Sequence, residues 1–120
     1  MHSSVGMVSQ TYMTSINLEE KFGPIRKGLL EAAVLKVISR KKVYAADILE
    51  KLKVTDFATQ EGTLYPLLSR LRREGAVDYA WVESQNGPPR KYYSLTAKGK
   101  EQLKTLLDYL EDINTTINQL

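Results

Sequence analysis

Cysteine is absent from the 120-residue chain, histidine occurs once, at His2, and tryptophan once, at Trp81. Without cysteine there can be no disulfide framework, thiolate nucleophile or Cys/His zinc site, and one histidine near the end of the chain makes no proton shuttle. Long apolar runs are missing as well. Stretches such as Ala32 to Leu35 fall far short of the ~20 residues needed to cross a bilayer. The opening MHSSVGMVSQTYMTSINLEEKF has no continuous apolar core, so it does not read as a signal peptide. These absences predict a soluble, cytoplasmic protein with no metal, no cofactor and no membrane partner.

What is present is ordinary for a folded domain. Hydrophobic residues make up 42% of the chain and charged residues 26%, with a net charge of +3. One domain of this length buries roughly 65% of its unfolded surface. That size excludes a large two-domain enzyme, and the apolar content argues against disorder. The charge is uneven. Residues 1–100 hold 16 Lys and Arg against 10 Asp and Glu, whereas residues 101–120 hold Lys104 alone against Glu101, Asp108, Glu111 and Asp112. A basic body with an acidic tail suits two surfaces with different partners, although ordinary surface variation gives the same pattern.

Residues 1–23 show no clear period and read as an N-terminal arm, poorly ordered or extending the first helix. Gly23-Pro24 then marks a change, with proline well placed to open a helix. From Ile25 to about Lys41, Leu29, Leu30, Ala33, Val34, Val37 and Ile38 recur at helical spacing, and Arg40, Lys41 and Lys42 suit the C-terminal end. A second helix over about Ala45–Lys53 places Ile48, Leu49 and Leu52 inward. Thr55, Asp56 and Thr59 separate it from a third, about Gln60–Glu74, stopped by Gly75. The period then drops to two: VDYAWVES over Val77–Ser84 reads as a strand, QNGPP as a loop, and RKYYSL over Arg90–Leu95 as a second strand. Thr96 caps a final helix that reaches close to Leu120.

Three helices, a hairpin and a long helix fit a mainly α (α+β) winged helix-turn-helix with a two-stranded β wing and a C-terminal dimerisation helix, an order that other small folds can also carry. The winged domain occupies 24–96 and the terminal helix 97–120.

The third helix has a narrow apolar stripe of Leu64, Leu67, Leu68 and Leu71. Opposite it lie Gly62, Pro66, Ser69 and Arg73, flanked by Thr59, Thr63, Tyr65 and Arg70. Small residues near the start let the helix N-terminus approach phosphates, where backbone N–H groups and the dipole favour anions. Thr59, Thr63 and Ser69 can donate to phosphates or base edges, Tyr65 has the reach for either, and Arg70 and Arg73 can clamp phosphate or guanine. A solvated outer face has much the same composition. Pro66 crowds the carbonyl of Gly62, which either a local bend or a helix starting at Thr63 accommodates. In the hairpin, Pro88 and Pro89 predict a long, stiffened loop outside the ladder, with Arg90 and Lys91 at its base facing phosphates or the minor groove.

Two segments, EGTLYPLLSRLRREGAVDYAW over 61–81 and GPPRKYYSLTAKGKEQL over 87–103, closely resemble PadR-type transcriptional regulators. The resemblance covers roughly residues 25–110. TLYPLL and PRKYYSLT at this separation are far more specific than a generic helix-turn-helix match. The chain departs from the pattern at YAADI, Tyr44 to Ile48, where the family typically has tyrosine, glycine, an aromatic residue, an acid and isoleucine; residues 1–23 have no counterpart. The resemblance implies a winged helix-turn-helix homodimer that binds double-stranded DNA. Family members are usually repressors, and many release DNA on binding a small aromatic or drug-like effector. It implies DNA contacts at Thr63, Tyr65, Ser69 and Arg70, wing contacts around Gly87, Arg90 and Lys91, and a phosphate contact at Tyr44. It also implies a dimer interface on the terminal helix, in the short form of the family.

Along that helix Leu103, Leu106, Leu110, Ile113, Ile117 and Leu120 follow a 3-4-3-4-3 spacing, a heptad seam of about two and a half repeats. It reads as a homodimer seam; Leu107 and Tyr109 widen the stripe and also allow packing on the helix's own domain. A dimer of readers predicts a near-palindromic operator with half-sites about one turn apart. Some relatives stack a planar ligand between tryptophans of two terminal helices, which a lone Trp81 on a wing strand cannot do. Tyr79, Trp81, Tyr92, Tyr93 and Tyr109 are candidates for an effector cleft, or for core and hairpin packing. The alternative to a repressor is a winged-helix module that binds protein without DNA. Enzymatic activity is not expected: Glu19-Glu20 and Glu111-Asp112 do not converge, and no glycine loop cradles phosphate.

Overall fold

The computed structural model describes residues 18–120; His2 and most of the predicted arm lie outside the described residues. The elements are α1 (Leu18–Arg40), β1 (Val43–Tyr44), α2 (Ala45–Leu52), α3 (Glu61–Arg73), β2 (Val77–Ser84), β3 (Gly87–Leu95) and α4 (Ala97–Gln119). This is the expected order with one strand added. The three strands form an antiparallel sheet in the order β1-β3-β2, with Val43 opposite Tyr93 and Tyr44 opposite Tyr92. A two-residue strand is too short to show a period of two, so only the partner strand reveals it.

The chain divides after Leu30 into two units. In the first, α1 already runs from Leu18 and passes through Pro24, so this proline does not open the helix as its sequence context predicts. In the second, Ala32, Val34, Leu35 and Ile38 of α1 are buried, while Ala33 and Val37 are half-buried. The inward stripe is therefore centred closer to Leu35 than the sequence spacing suggests. Ile48 and Leu52 of α2, Leu64, Leu68 and Leu71 of α3, and Val77 and Tyr93 of the sheet complete the core with Leu103 of α4. Each fully buried Leu or Ile side chain contributes about 1.5–3 kcal/mol.

Two junctions set the direction of α3. At its C-terminus the amide of Ala76 donates to the Leu71 carbonyl at 2.9 Å and that of Gly75 to the Arg72 carbonyl at 3.0 Å. That pattern is a Schellman cap, which requires the positive φ of 81° that Gly75 adopts. From there Ala76 leads into β2. At the second junction Thr96 caps α4 by accepting the Gly99 amide at 2.9 Å. Gly99 packs against the Ala76 carbonyl so closely that a Cβ there would collide with it.

The hairpin is tighter than predicted. Ser84 pairs with Gly87 across a two-residue turn, Gln85-Asn86, and Pro88 and Pro89 lie inside β3. Between the Val82–Arg90 and Ser84–Gly87 pairs, Glu83 alone faces both prolines, so the ladder carries a bulge there. Such irregularities are where strands tolerate residues lacking an N–H. β1 reaches only Tyr92 and Tyr93, which leaves the other edge of β3 at the prolines without a strand partner.

Candidate nucleic-acid interface

The outer face of α3 is laid out as the wheel predicts: Gly62, Thr63, Pro66, Ser69 and Arg73 are exposed, Tyr65 is exposed and Thr59 is half-buried. The helix runs unbroken through Pro66, and its first turn is closed by the Thr63 and Leu64 amides donating to the Gln60 carbonyl at 3.0 and 2.9 Å. Its two flanks differ. On one flank, Ser69, Arg72 and Arg73 line a groove of about 220 Å³ whose other wall is Tyr79, Lys91 and Tyr93 of the wing. Arg73 makes no ion pair with a carboxylate among the described residues.

On the other flank, Arg70 turns to α1. Its guanidinium donates to Glu31 at 2.9 Å and to Glu74 at 3.0 Å. Hydrogen bonding to Glu31 and then to Glu74 holds its pKa above the ordinary value. Arg72 is the groove residue that sequence reasoning missed. Its guanidinium lies 4.5 Å from the Tyr79 ring centroid and 3.5 Å from the Asp78 carboxylate. One signal for it was available: Arg72 stands seven residues after Tyr65, on the same flank of the helix.

The wing cations are seated on aromatic rings. The Lys91 ammonium lies 4.5 Å from the Tyr79 centroid and 5.5 Å from that of Trp81. The Arg90 guanidinium stacks 4.0 Å over Tyr44, whose ring is 4.9 Å from Tyr92. A ring face attracts a cation without neutralising it, so both remain able to meet an anion. Tyr44 is itself fixed, because its amide donates to Asp47 Oδ2 at 2.9 Å. Gly87 sits exposed at the hairpin tip.

The five aromatic residues separate into three places. Tyr79 links Trp81 and Tyr93, its ring centroid 5.8 Å from the first and 5.7 Å from the second. Trp81 is 62% exposed and lines a cleft of about 310 Å³ with Tyr44, Tyr65, Pro89, Arg90 and Lys91. Tyr92 stacks on Tyr44, while Tyr109 lies on α4 beside Glu31, Gln102 and Leu106. Tyr109 thus lines a different cleft from those lined by the wing aromatics.

Exposure along the α4 seam rises toward its end. Leu103 is buried and Leu106 and Leu110 are half-buried; Ile113 is 37% exposed, Ile117 63% and Leu120 fully exposed. Among the described residues, no helix is long and apolar enough to cross a membrane, and no cluster of metal-ligating side chains occurs.

Residues 34–105 match the transcriptional regulator PadR-like family. Among solved structures, the chain is 44% identical to a PadR-like transcription factor from Bacteroides fragilis. That match has a TM-score of 0.73 and covers 81% of this chain and 94% of the other. A PadR-like transcriptional regulator from Bacillus cereus is 38% identical, with a TM-score of 0.69 and 78% and 91% coverage. A PadR family regulator from Eggerthella lenta is 26% identical over 94% of this chain and 95% of its own, with a TM-score of 0.74. With the winged fold and the groove beside its third helix, these matches show that the chain belongs to the PadR-like family of transcriptional regulators.

Proposed function

We propose that the chain binds DNA in a sequence-specific manner as a homodimer and represses transcription from a near-palindromic operator. In this reading α3 enters the major groove and the β2–β3 wing follows the adjoining backbone. The observation that carries it is the groove between α3 and the wing, where Arg72, Arg73 and Lys91 converge on one concave surface beside Ser69. Arg73 and Lys91 have no carboxylate partner among the described residues and Arg72 shares Asp78, so a polyanion seated there gains attraction and releases its condensed counterions. Thr63, Tyr65 and Ser69 on the exposed face supply hydrogen-bonding groups for base edges, and Arg90, held on Tyr44, supplies a phosphate contact. Gly62 and Gly87 let the backbone come close at the helix start and the wing tip.

The apolar α4 stripe from Leu110 to Leu120 supports the dimer. Ile113 and Ile117 are exposed in the single chain, and a second copy in heptad register buries both. For a small aromatic effector, the cleft beside Trp81 offers ring faces and two cations, and a molecule seated there would occupy the DNA-facing surface. The test is fluorescence anisotropy with duplex DNA from upstream of the chain's own gene, competed by random duplex at two salt concentrations. Specific binding that weakens steeply with salt supports the reading; binding to neither duplex at low salt favours a protein-interaction module.

A further inference from the structure

Arg70 stands on the recognition helix with 45% of its side chain exposed, and its guanidinium is already engaged by two carboxylates of the same chain. Nη2 donates to Glu31 Oε1 at 2.9 Å and Nη1 to Glu74 Oε2 at 3.0 Å. The other oxygen of Glu31 accepts from Gln102 Nε2 at 2.8 Å. One carboxylate on α1 thus joins α3 to α4, across 39 residues of sequence on one side and 71 on the other. Glu31 is mostly covered, with 21% of its side chain exposed.

We infer that Arg70 is a positioning residue, which sets the rotation of the recognition helix and ties it through Glu31 to α4, and does not itself contact DNA. The inference rests on the DNA-binding reading and deepens it. A phosphate approaching Arg70 would meet two carboxylates that already neutralise its guanidinium, so the contact would carry repulsion between anions. The fork geometry also explains the choice of residue. Arginine donates in two fixed directions at once, so it can span Glu31 and Glu74, whereas a lysine ammonium is a point charge. Partly exposed ion pairs add little to stability, so the value of this one lies in orientation. Gln102 belongs to the helix that carries the apolar seam, so packing of a second copy on α4 would reach the recognition helix through two hydrogen-bonded contacts.

The test compares Arg70→Ala, Glu31→Gln and Arg73→Ala with the wild type, using the salt dependence of duplex binding and amide hydrogen exchange in the free protein. Loss of a phosphate contact lowers the slope of log K against log salt by about one. Arg73→Ala is expected to do this. Arg70→Ala and Glu31→Gln are expected to keep the wild-type slope, to weaken binding by about threefold or more, the order expected for partly exposed ion pairs, and to speed exchange along α3. A slope reduced by about one in Arg70→Ala, or tighter binding by Glu31→Gln through a freed arginine, would overturn the inference. Exchange along α3 unchanged in Arg70→Ala would overturn it too. If the wild type itself shows no salt-dependent duplex binding, the DNA reading fails, and the exchange measurement still decides the positioning role.

Discussion

The Thr96 hydroxyl donates to the Gly75 carbonyl at 2.6 Å while its oxygen accepts the Gly99 amide at 2.9 Å. One side chain thus closes the start of α4 and takes up a carbonyl just past the end of α3. Thr96→Ala removes both bonds and leaves a partly buried acceptor at Gly75. The expected loss is about 1–2 kcal/mol in urea unfolding, the usual range for a helix cap. Thr96→Ser, which keeps the hydroxyl, should recover most of it.

Gly99 tests the same junction by shape. Its missing Cβ is what lets α4 lie against the Ala76 carbonyl, since backbone cannot yield as a flexible side chain does. Gly99→Ala is expected to destabilise by at least about 1–3 kcal/mol, the cost of overpacking, although alanine is the better helix former. Thermal unfolding checks this; a raised Tm would mean that the two elements separate readily.

How far the sequence went can be judged at particular residues. Leu64, Leu68 and Leu71 at helical spacing, and Gly75 after them, were enough to place α3 and its end. The alternation in Val77–Ser84 marked β2 to the residue. Three features were not legible because their cause is non-local. β1 exists only through pairing with Tyr92 and Tyr93. Pro88 and Pro89 enter β3 because the neighbouring edge is vacant and a bulge absorbs them. Arg70 and Arg72 border the outer face of α3 on opposite flanks, and the placement of Glu31 beside one and Tyr79 beside the other sets their roles.

Tyr93 gives the fold an alkaline limit. Burial, and then the neighbouring Tyr79 and Tyr65, raise its pKa above the ordinary 10.0, while Arg72 acts in the opposite sense. The neutral phenol is therefore favoured in the folded state. Stability from this group is complete below pH 10, the unfolded value, and falls as pH rises toward the folded pKa, because the unfolded chain ionises first. Tyr93→Phe should flatten that part of the stability profile. Unfolding free energies between about pH 8 and 11, roughly bracketing the phenol, check it, and an unchanged alkaline slope would count against this residue.

Trp81 is the sole tryptophan, exposed on the wing with the Lys91 ammonium 5.5 Å from its ring. Duplex DNA seated across α3 and the wing would displace water from the indole in the neighbouring cleft and draw Lys91, which lines both that cleft and the groove, toward phosphate. Tryptophan emission should therefore change on titration with operator DNA and saturate with the Kd that anisotropy gives. Lys91→Met should weaken binding by about tenfold, within the range for a charge-assisted contact, and lower the salt slope by about one. Emission that stays constant through full binding would remove the wing from the interface.

The terminal helix carries the last test. A helix whose final turns expose Ile113 and Ile117 leaves apolar surface in water that a second copy can cover, and the 3-4 spacing brings both onto one seam. A glutamate at the centre of that seam would have to be buried without a partner, which costs several kcal/mol and outweighs what two and a half repeats can gain. Ile113→Glu should therefore sediment as a monomer while its helical circular dichroism per residue stays close to wild type, because this position is not part of the domain core. Operator affinity should fall with it, since one reader then holds one half-site and the second binding event becomes bimolecular. A dimer that survives Ile113→Glu would shift the interface off this stripe. A monomer that still binds the full operator as tightly as wild type would instead show that a single copy reads the whole site.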